Sequence, residues 1–192
     1  RVDPSRIAIA VHGGAFAIPP EEHEAHRLGC RRALERGRDV LLAGGSALDA
    51  VEAAVRVLED DGTFDAGRGS FLDESGTVSL DAGMMDGATL ETGSIAAGVG
   101  IRNAVTVARR VLESPHAVIV GDGARRFAEQ TGCEVCDPAE MIHPRELARW
   151  QAAGGGPADP AWASQMFGDT VGAVALDADG NLAAATSTGG SP

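Results

Sequence analysis

The chain begins with a short apolar, partly β-branched run, Arg6 to His12, which stops at Gly13-Gly14. This is the pattern of a buried strand ending in a tight turn. Between Pro19-Pro20 and Gly44-Gly45, apolar Ala25, Leu28, Ala33, Val40 and Leu41 recur among charges and predict an amphipathic helix over 21–42. Ser46, with Asp49 three residues on, caps a second helix carried by Ala47, Val51, Ala54, Val55 and Leu58, ending near Asp60-Asp61-Gly62. Their Ala-rich faces suit one layer against a sheet. Thr63 to Asp86 reads as an irregular loop around 64–69, a strand, a turn at Glu74-Ser75-Gly76 and a returning strand. A small-residue strand follows at Ser94 to Val99, then a helix from Asn103 or Thr106 to Glu113, stopped before Pro115. Ala117 to Val120 forms a strand into Gly121-Asp122-Gly123, and Ala124 to Gln130 a further helix. Hairpins, paired helices and strands without a repeated strand–helix–strand array favour α+β layers.

Gln151 to Asp169 loses periodicity, gains Gly and Pro, and reads as a mobile linker. It ends at a hairpin. Val171 to Leu176 and Leu182 to Thr188 are strand-like runs, and Asp177-Ala178-Asp179-Gly180-Asn181 between them is dense in turn formers. A three-residue loop, 178–180, pairs Asp177 with Asn181 and sets Thr170 opposite Thr188; a two-residue Asp-Gly loop sets Thr170 opposite Gly189, still beside Thr188. Either way two threonine hydroxyls meet at the hairpin mouth.

Composition narrows the chemistry. The 192 residues suit one sizeable domain; with 44% hydrophobic but only 4% aromatic residues, its core is built from Ala, Val, Leu and Gly. A formal charge of -12 and the lack of a basic cluster argue against nucleic acid; solvated surface charge accounts for the acidity. No apolar run reaches the ~20 residues that span a bilayer, and no signal-peptide core opens the chain, so a cytoplasmic location without membrane attachment is expected. Cys30, Cys133 and Cys136 give no disulfide framework, and the lone Cys133-Glu134-Val135-Cys136 lacks the further ligands or helix context of a zinc or redox site. The acidic residues Glu59, Asp60, Asp61 and Asp65 near a Gly-rich loop lack calcium-loop spacing and read as solvated charge.

Threonine is a weak nucleophile without a base. One solution is the residue's own α-amine once it becomes a chain terminus, since its pKa of about 7.7 to 8.0 suits general-base work near neutrality. Cutting Asp169-Thr170 would expose such an amine, and Thr170 Oγ could attack the Asp169 carbonyl itself where the surrounding fold strains that peptide. The bland alternative is that Thr170 merely begins a strand.

Further residues bear on that choice. Ile9-Ala10-Val11-His12-Gly13-Gly14-Ala15, Ala47 to Glu59, Phe64 to Gly69, Leu80-Asp81-Ala82 with Met85-Asp86-Gly87, Gly121-Asp122-Gly123-Ala124 and, most specifically, Thr170 to Gly190 resemble the plant-type asparaginase and isoaspartyl peptidase family of N-terminal-nucleophile hydrolases. The resemblance implies a four-layer αββα sandwich whose C-terminal part is missing from this chain. It divides the chain into an α-subunit region, 1–169, and the start of a β-subunit, 170–192, within one structural domain. It implies that Thr170 is the autocatalytically exposed nucleophile after cleavage at Asp169-Thr170, that Thr188 orients it, and that Gly13 and Asp65 lie nearby. It further implies a structural sodium ion held mainly by the carbonyls of Leu58, Glu59, Asp61, Phe64, Ala66 and Arg68, no cofactor for catalysis, L-asparagine and β-aspartyl dipeptides as substrates, and a homodimer of αβ heterodimers. Asp65 stands where the family usually has Asn, and Phe16 where it usually has Gly. The family's substrate-gripping arginine and aspartate and its threonine-glycine oxyanion hole are expected beyond Pro192. A glycosylasparaginase and an unprocessed, inactive homologue serving as a scaffold or binding protein are the alternatives.

Overall fold

The computed structural model describes residues 2–15, 18–155 and 170–190. Five α-helices lie among them: α1 (His23–Leu42), α2 (Ala47–Asp61), α3 (Ala104–Leu112), α4 (Asp122–Gln130) and α5 (Pro144–Ala152). The strands β1 (Ala8–His12), β2 (Leu80–Asp86), β3 (Thr92–Gly98), β4 (Val118–Val120), β5 (Val171–Leu176) and β6 (Leu182–Thr188) form a six-stranded sheet in the order β1-β5-β6-β2-β3-β4. Only β3 and β4 run parallel; the other neighbours are antiparallel. The architecture is mixed α/β.

The two faces of the sheet differ. Val171, Ala173 and Ala175 of β5, Ala183, Ala185 and Ser187 of β6, and Leu80, Ala82 and Met84 of β2 alternate inward and are buried. They meet Ala47, Ala50, Val51, Ala54, Val55 and Leu58 of α2, all buried as well. Methyl-sized side chains on both partners let the helix approach the sheet closely, so a core nearly free of large aromatics still packs. The opposite face is open: Val174 is 52% exposed and Leu182 59%. The described residues thus supply one sheet with helices on one side, and the expected four layers are not complete within them.

The predicted boundaries hold for most elements. Ser46 and Asp49 form the expected capping box, and α2 ends at Gly62 in the left-handed region, φ 77°. Two expectations need correction. The segment before the turn at 74–76 is not a strand. The Asp73 carboxylate accepts from the N–H groups of Ser75 and Thr77 at 2.9 and 3.0 Å, Phe71 N–H donates to the Asp65 carboxylate at 3.0 Å, and both edges of β2 are already taken by β3 and β6. The linker also begins later than expected: Gln151 and Ala152 close α5, which opens with Pro144 at its first turn. Trp150 of this helix donates from Nε1 to the Asp73 carbonyl at 3.0 Å, and Arg149 pairs with Glu22 at 2.7 Å. The remainder of the linker, 156–169, lies outside the described residues.

Candidate active site

The β5–β6 hairpin has the three-residue loop. Asp177 N–H donates to the Asn181 carbonyl at 3.0 Å, and Gly180 supplies the left-handed position at φ 89°. The register runs from Leu176 opposite Leu182 to Val171 opposite Ser187. One step further sets Thr170 opposite Thr188. Thr170 is exposed and Thr188 half-buried, its Oγ1 accepting from Gly190 N–H at 3.1 Å. On the other side of β6, Thr188 faces Asp81, whose carboxylate accepts from Ala97 N–H at 2.7 Å. The Asp81–Thr188 pair and Thr170, which immediately precedes β5, therefore lie at one end of these strands.

Gly13 reaches the same end of the sheet. β1 pairs with β5 so that His12 faces Gly172, and the chain then turns away beside Val171 and Thr170. There is no room for a side chain at Gly13, where a Cβ would lie 2.4 Å from Cys30 Sγ. Asp65 comes in from below: it is buried, its side chain holds Phe71, and its carbonyl accepts from Gly189 N–H at 3.2 Å. Thr170, Thr188, Gly13 and Asp65 thus converge on one edge. Asp169 and Phe16 lie outside the described residues.

Glu59 lies under this edge. It is fully buried; Oε1 accepts from Ser187 Oγ at 2.6 Å and from Val105 N–H at 3.0 Å, while Oε2 has no hydrogen-bond partner among the described residues. Burial pushes its carboxyl up to about 7 even though the Ser187 and Val105 bonds pull the other way. Sequence reading takes Glu59 and Asp65 as solvated charge and the Glu59 carbonyl as a loop donor; instead both side chains are buried, Glu59 accepting from Ser187 and Val105 and Asp65 from Phe71 N–H. A carboxyl within the helix of a capped, apolar stripe was the available signal, but nothing local names a partner 128 residues away.

Leu58, Phe64 and Ala66 are fully buried, Asp61 is partly exposed and ion-paired with Arg32, and Arg68 is exposed. The loop between them closes tightly on main-chain oxygens. A Cβ at Gly67 would lie 2.5 Å from the Glu59 carbonyl oxygen, and one at Gly69 would lie 2.2 Å from that of Phe64. These approaches show that the loop leaves no room for a side chain at Gly67 or Gly69; main-chain carbonyl oxygens are the donor type that a hard cation takes. Among the described residues no cluster of three or more His, Cys, Asp or Glu side chains could hold a metal. Cys133 and Cys136 are unbridged, and Cys136 is built into the backbone by bonds to Gly100 and Arg125. Among the described residues no helix is long and apolar enough to cross a membrane.

The chain resembles known proteins along nearly its whole length. It is 44% identical over 183 residues to the isoaspartyl peptidase/L-asparaginase of Xenopus laevis, covering 95% of this chain and 59% of that protein. It is 43% identical over 201 residues to the isoaspartyl peptidase of Escherichia coli (strain K12), covering 96% of this chain and 61% of that protein. To the plant-type L-asparaginase of Pyrococcus abyssi it is 39% identical over 203 residues, 96% of this chain and 63% of that one. The chain thus spans about three fifths of the length of these relatives. The family model described as asparaginase matches residues 5–192, and the chain belongs to that family.

Proposed function

We propose that this chain, together with the remainder that its longer relatives contain, is a threonine amidohydrolase that releases L-aspartate from β-aspartyl (isoaspartyl) peptides and from L-asparagine. The observation that carries this reading is the β5–β6 register: its last pair, Val171 and Ser187, leaves Thr170 and Thr188 next in line at the hairpin mouth, with Thr170 exposed. The names of the relatives supply the substrate class.

In this reading Thr170 Oγ first attacks the Asp169 carbonyl. The peptide C–N bond breaks, an ester forms, and water hydrolyses it to leave an Asp169 carboxylate and a free Thr170 α-amine. That amine then takes the Oγ proton as Oγ attacks the side-chain carbonyl of the substrate. The leaving ammonia or peptide amine receives the proton, and water releases L-aspartate from the acyl-enzyme. The Thr188 hydroxyl orients Oγ throughout. The arginine and aspartate that grip the substrate, and the oxyanion donors, come from the part that follows residue 192. The carbonyls of Leu58, Glu59, Asp61, Phe64, Ala66 and Arg68 would hold a structural sodium ion, which braces the loop and takes no part in the chemistry. The same reading places a second sheet on the open face around Val174 and Leu182, completing the αββα layers, and assigns a cytoplasmic homodimer of αβ heterodimers.

Intact mass of the full-length protein tests the reading. Two fragments should appear with a break at Asp169-Thr170, and Thr170→Ala should abolish both the break and hydrolysis. A Thr170→Ala protein that hydrolyses would refute the assignment. Thr188→Ala should slow both reactions without unfolding the chain. Preference for a glycosylated asparagine over β-aspartyl dipeptides would move the protein to the glycosylasparaginases.

A further inference from the structure

On the helix-facing side of β6 the inward residues are Ala183, Ala185 and Ser187, and on β5 they are Val171, Ala173 and Ala175. Five of these six are apolar. The exception lies in the row next to Thr170 and Thr188, where Ser187 Oγ donates to Glu59 Oε1 at 2.6 Å. Burying a carboxyl whose Oε2 has no partner among the described residues opposes folding, so an apolar pair would serve packing better. A polar pair at that point in an otherwise apolar layer points to positioning.

Its location shows what it positions. Ser187 faces Val171 on one side and Ala82 on the other, so the bond from Glu59 pins the rung immediately before Thr188 and immediately after Thr170. Oε1 also accepts from Val105 N–H at 3.0 Å, which fixes the carboxyl against the start of α3. The ladder to β5 and β2 fixes the register; the short directional bond sets the height of this strand end over the helix layer, which apolar contacts fix less sharply. Past this rung the strand end is held by Asp81 beside Thr188 and by the 3.2 Å bond from Gly189 N–H to the Asp65 carbonyl.

We propose that Glu59 is a positioning residue for the Thr170–Thr188 pair, acting through its hydrogen bond to Ser187. The proposal rests on the reading of Thr170 as nucleophile and adds a residue that acts from beneath the sheet. Glu59 touches neither substrate nor reacting atoms; it keeps the two hydroxyls opposed.

The test uses the full-length protein carrying Ser187→Ala, Glu59→Gln, Glu59→Leu and the Ser187→Ala/Glu59→Leu double change. Self-cleavage is followed by intact mass, kcat and KM with L-asparagine by product release, and the unfolding midpoint by heating. Ser187→Ala, a small change that should fold, is expected to lower the cleavage rate and kcat by about 10- to 100-fold, the scale of a sub-ångström misplacement, with KM little changed; its midpoint should fall because the buried carboxyl loses a donor, so rates are compared where every variant is fully folded. Glu59→Gln keeps an acceptor oxygen and should retain rates within about threefold. Glu59→Leu should match Ser187→Ala, and the double variant should be no slower than either. Normal rates in Ser187→Ala, additive losses in the double variant, or losses that follow the unfolding midpoint would overturn the proposal while leaving the nucleophile in place. A wild-type protein that never cleaves, or an active Thr170→Ala, would remove both.

Discussion

Asp177 is a carboxylate buried at the hairpin turn and surrounded by donors. Oδ1 accepts from the N–H groups of Asp179 and Asn181 at 3.1 and 2.9 Å, and Oδ2 from Ala47 N–H at 3.1 Å and Asn181 Nδ2 at 3.3 Å. Burial favours its neutral form, but the donors outweigh this and hold its pKa below the usual carboxylate range. The unfolded chain therefore binds the proton more readily than the folded one. The stabilisation is fully present above the unfolded value of about 3.9 and is lost as pH falls through the lower folded value. Asp177→Asn should lower unfolding free energy at pH 7 by about 1 to 3 kcal/mol, since one carboxylate oxygen becomes an NH2 group that cannot accept from the two donors it faces. Urea unfolding at pH 7 and pH 3 checks the sign: the gap between wild type and variant should narrow at the lower pH, and a gap that widens would contradict it.

Helix α2 shows the same logic at the scale of an element. Its first turn is held by Ser46 Oγ, which accepts from Asp49 N–H at 3.1 Å, and by Asp177 from the hairpin, so the cap and the turn secure one another. Ser46→Ala should cost about 1 kcal/mol, measured as a lower midpoint in urea with an unchanged slope. This helix was legible because its cap, apolar stripe and terminal Gly62 are all local signals. The hairpin register was legible for a related reason: Asp177 to Asn181 fix the loop, and pairing then propagates strictly by twos. Where several partners compete, local pattern fails. Residues 70–73 carry apolar character, yet Phe71 N–H goes to Asp65 and the strand they would join is flanked on both sides. α5 was obscured because the Gly- and Pro-rich run after it masks a helix whose anchors, Asp73 and Glu22, are remote in sequence. At the candidate site the two threonines could be read from the turn, whereas the Glu59–Ser187 bond spans 128 residues and has no local trace.

In the molecule as a whole, the hairpin does not sit at the rim of the sheet. The strand order places β5 against β1 and β6 against β2, so residues 171–188 are wedged between two strands that come from the first half of the chain. If the backbone is cut before Thr170, the piece that begins there stays clasped by eleven paired positions, five to β1 and six to β2. Severing the chain would not free its parts: the fragments should run as one species on gel filtration and separate only in denaturant. Made separately, the first piece would hold β1 with no strand beside it and β2 open on the side that β6 covers, so the sheet would be complete only once the second piece is in place. With cleavage at Asp169-Thr170 as proposed, the covalent connection would act as an assembly jig, needed while the strands interleave and dispensable afterwards.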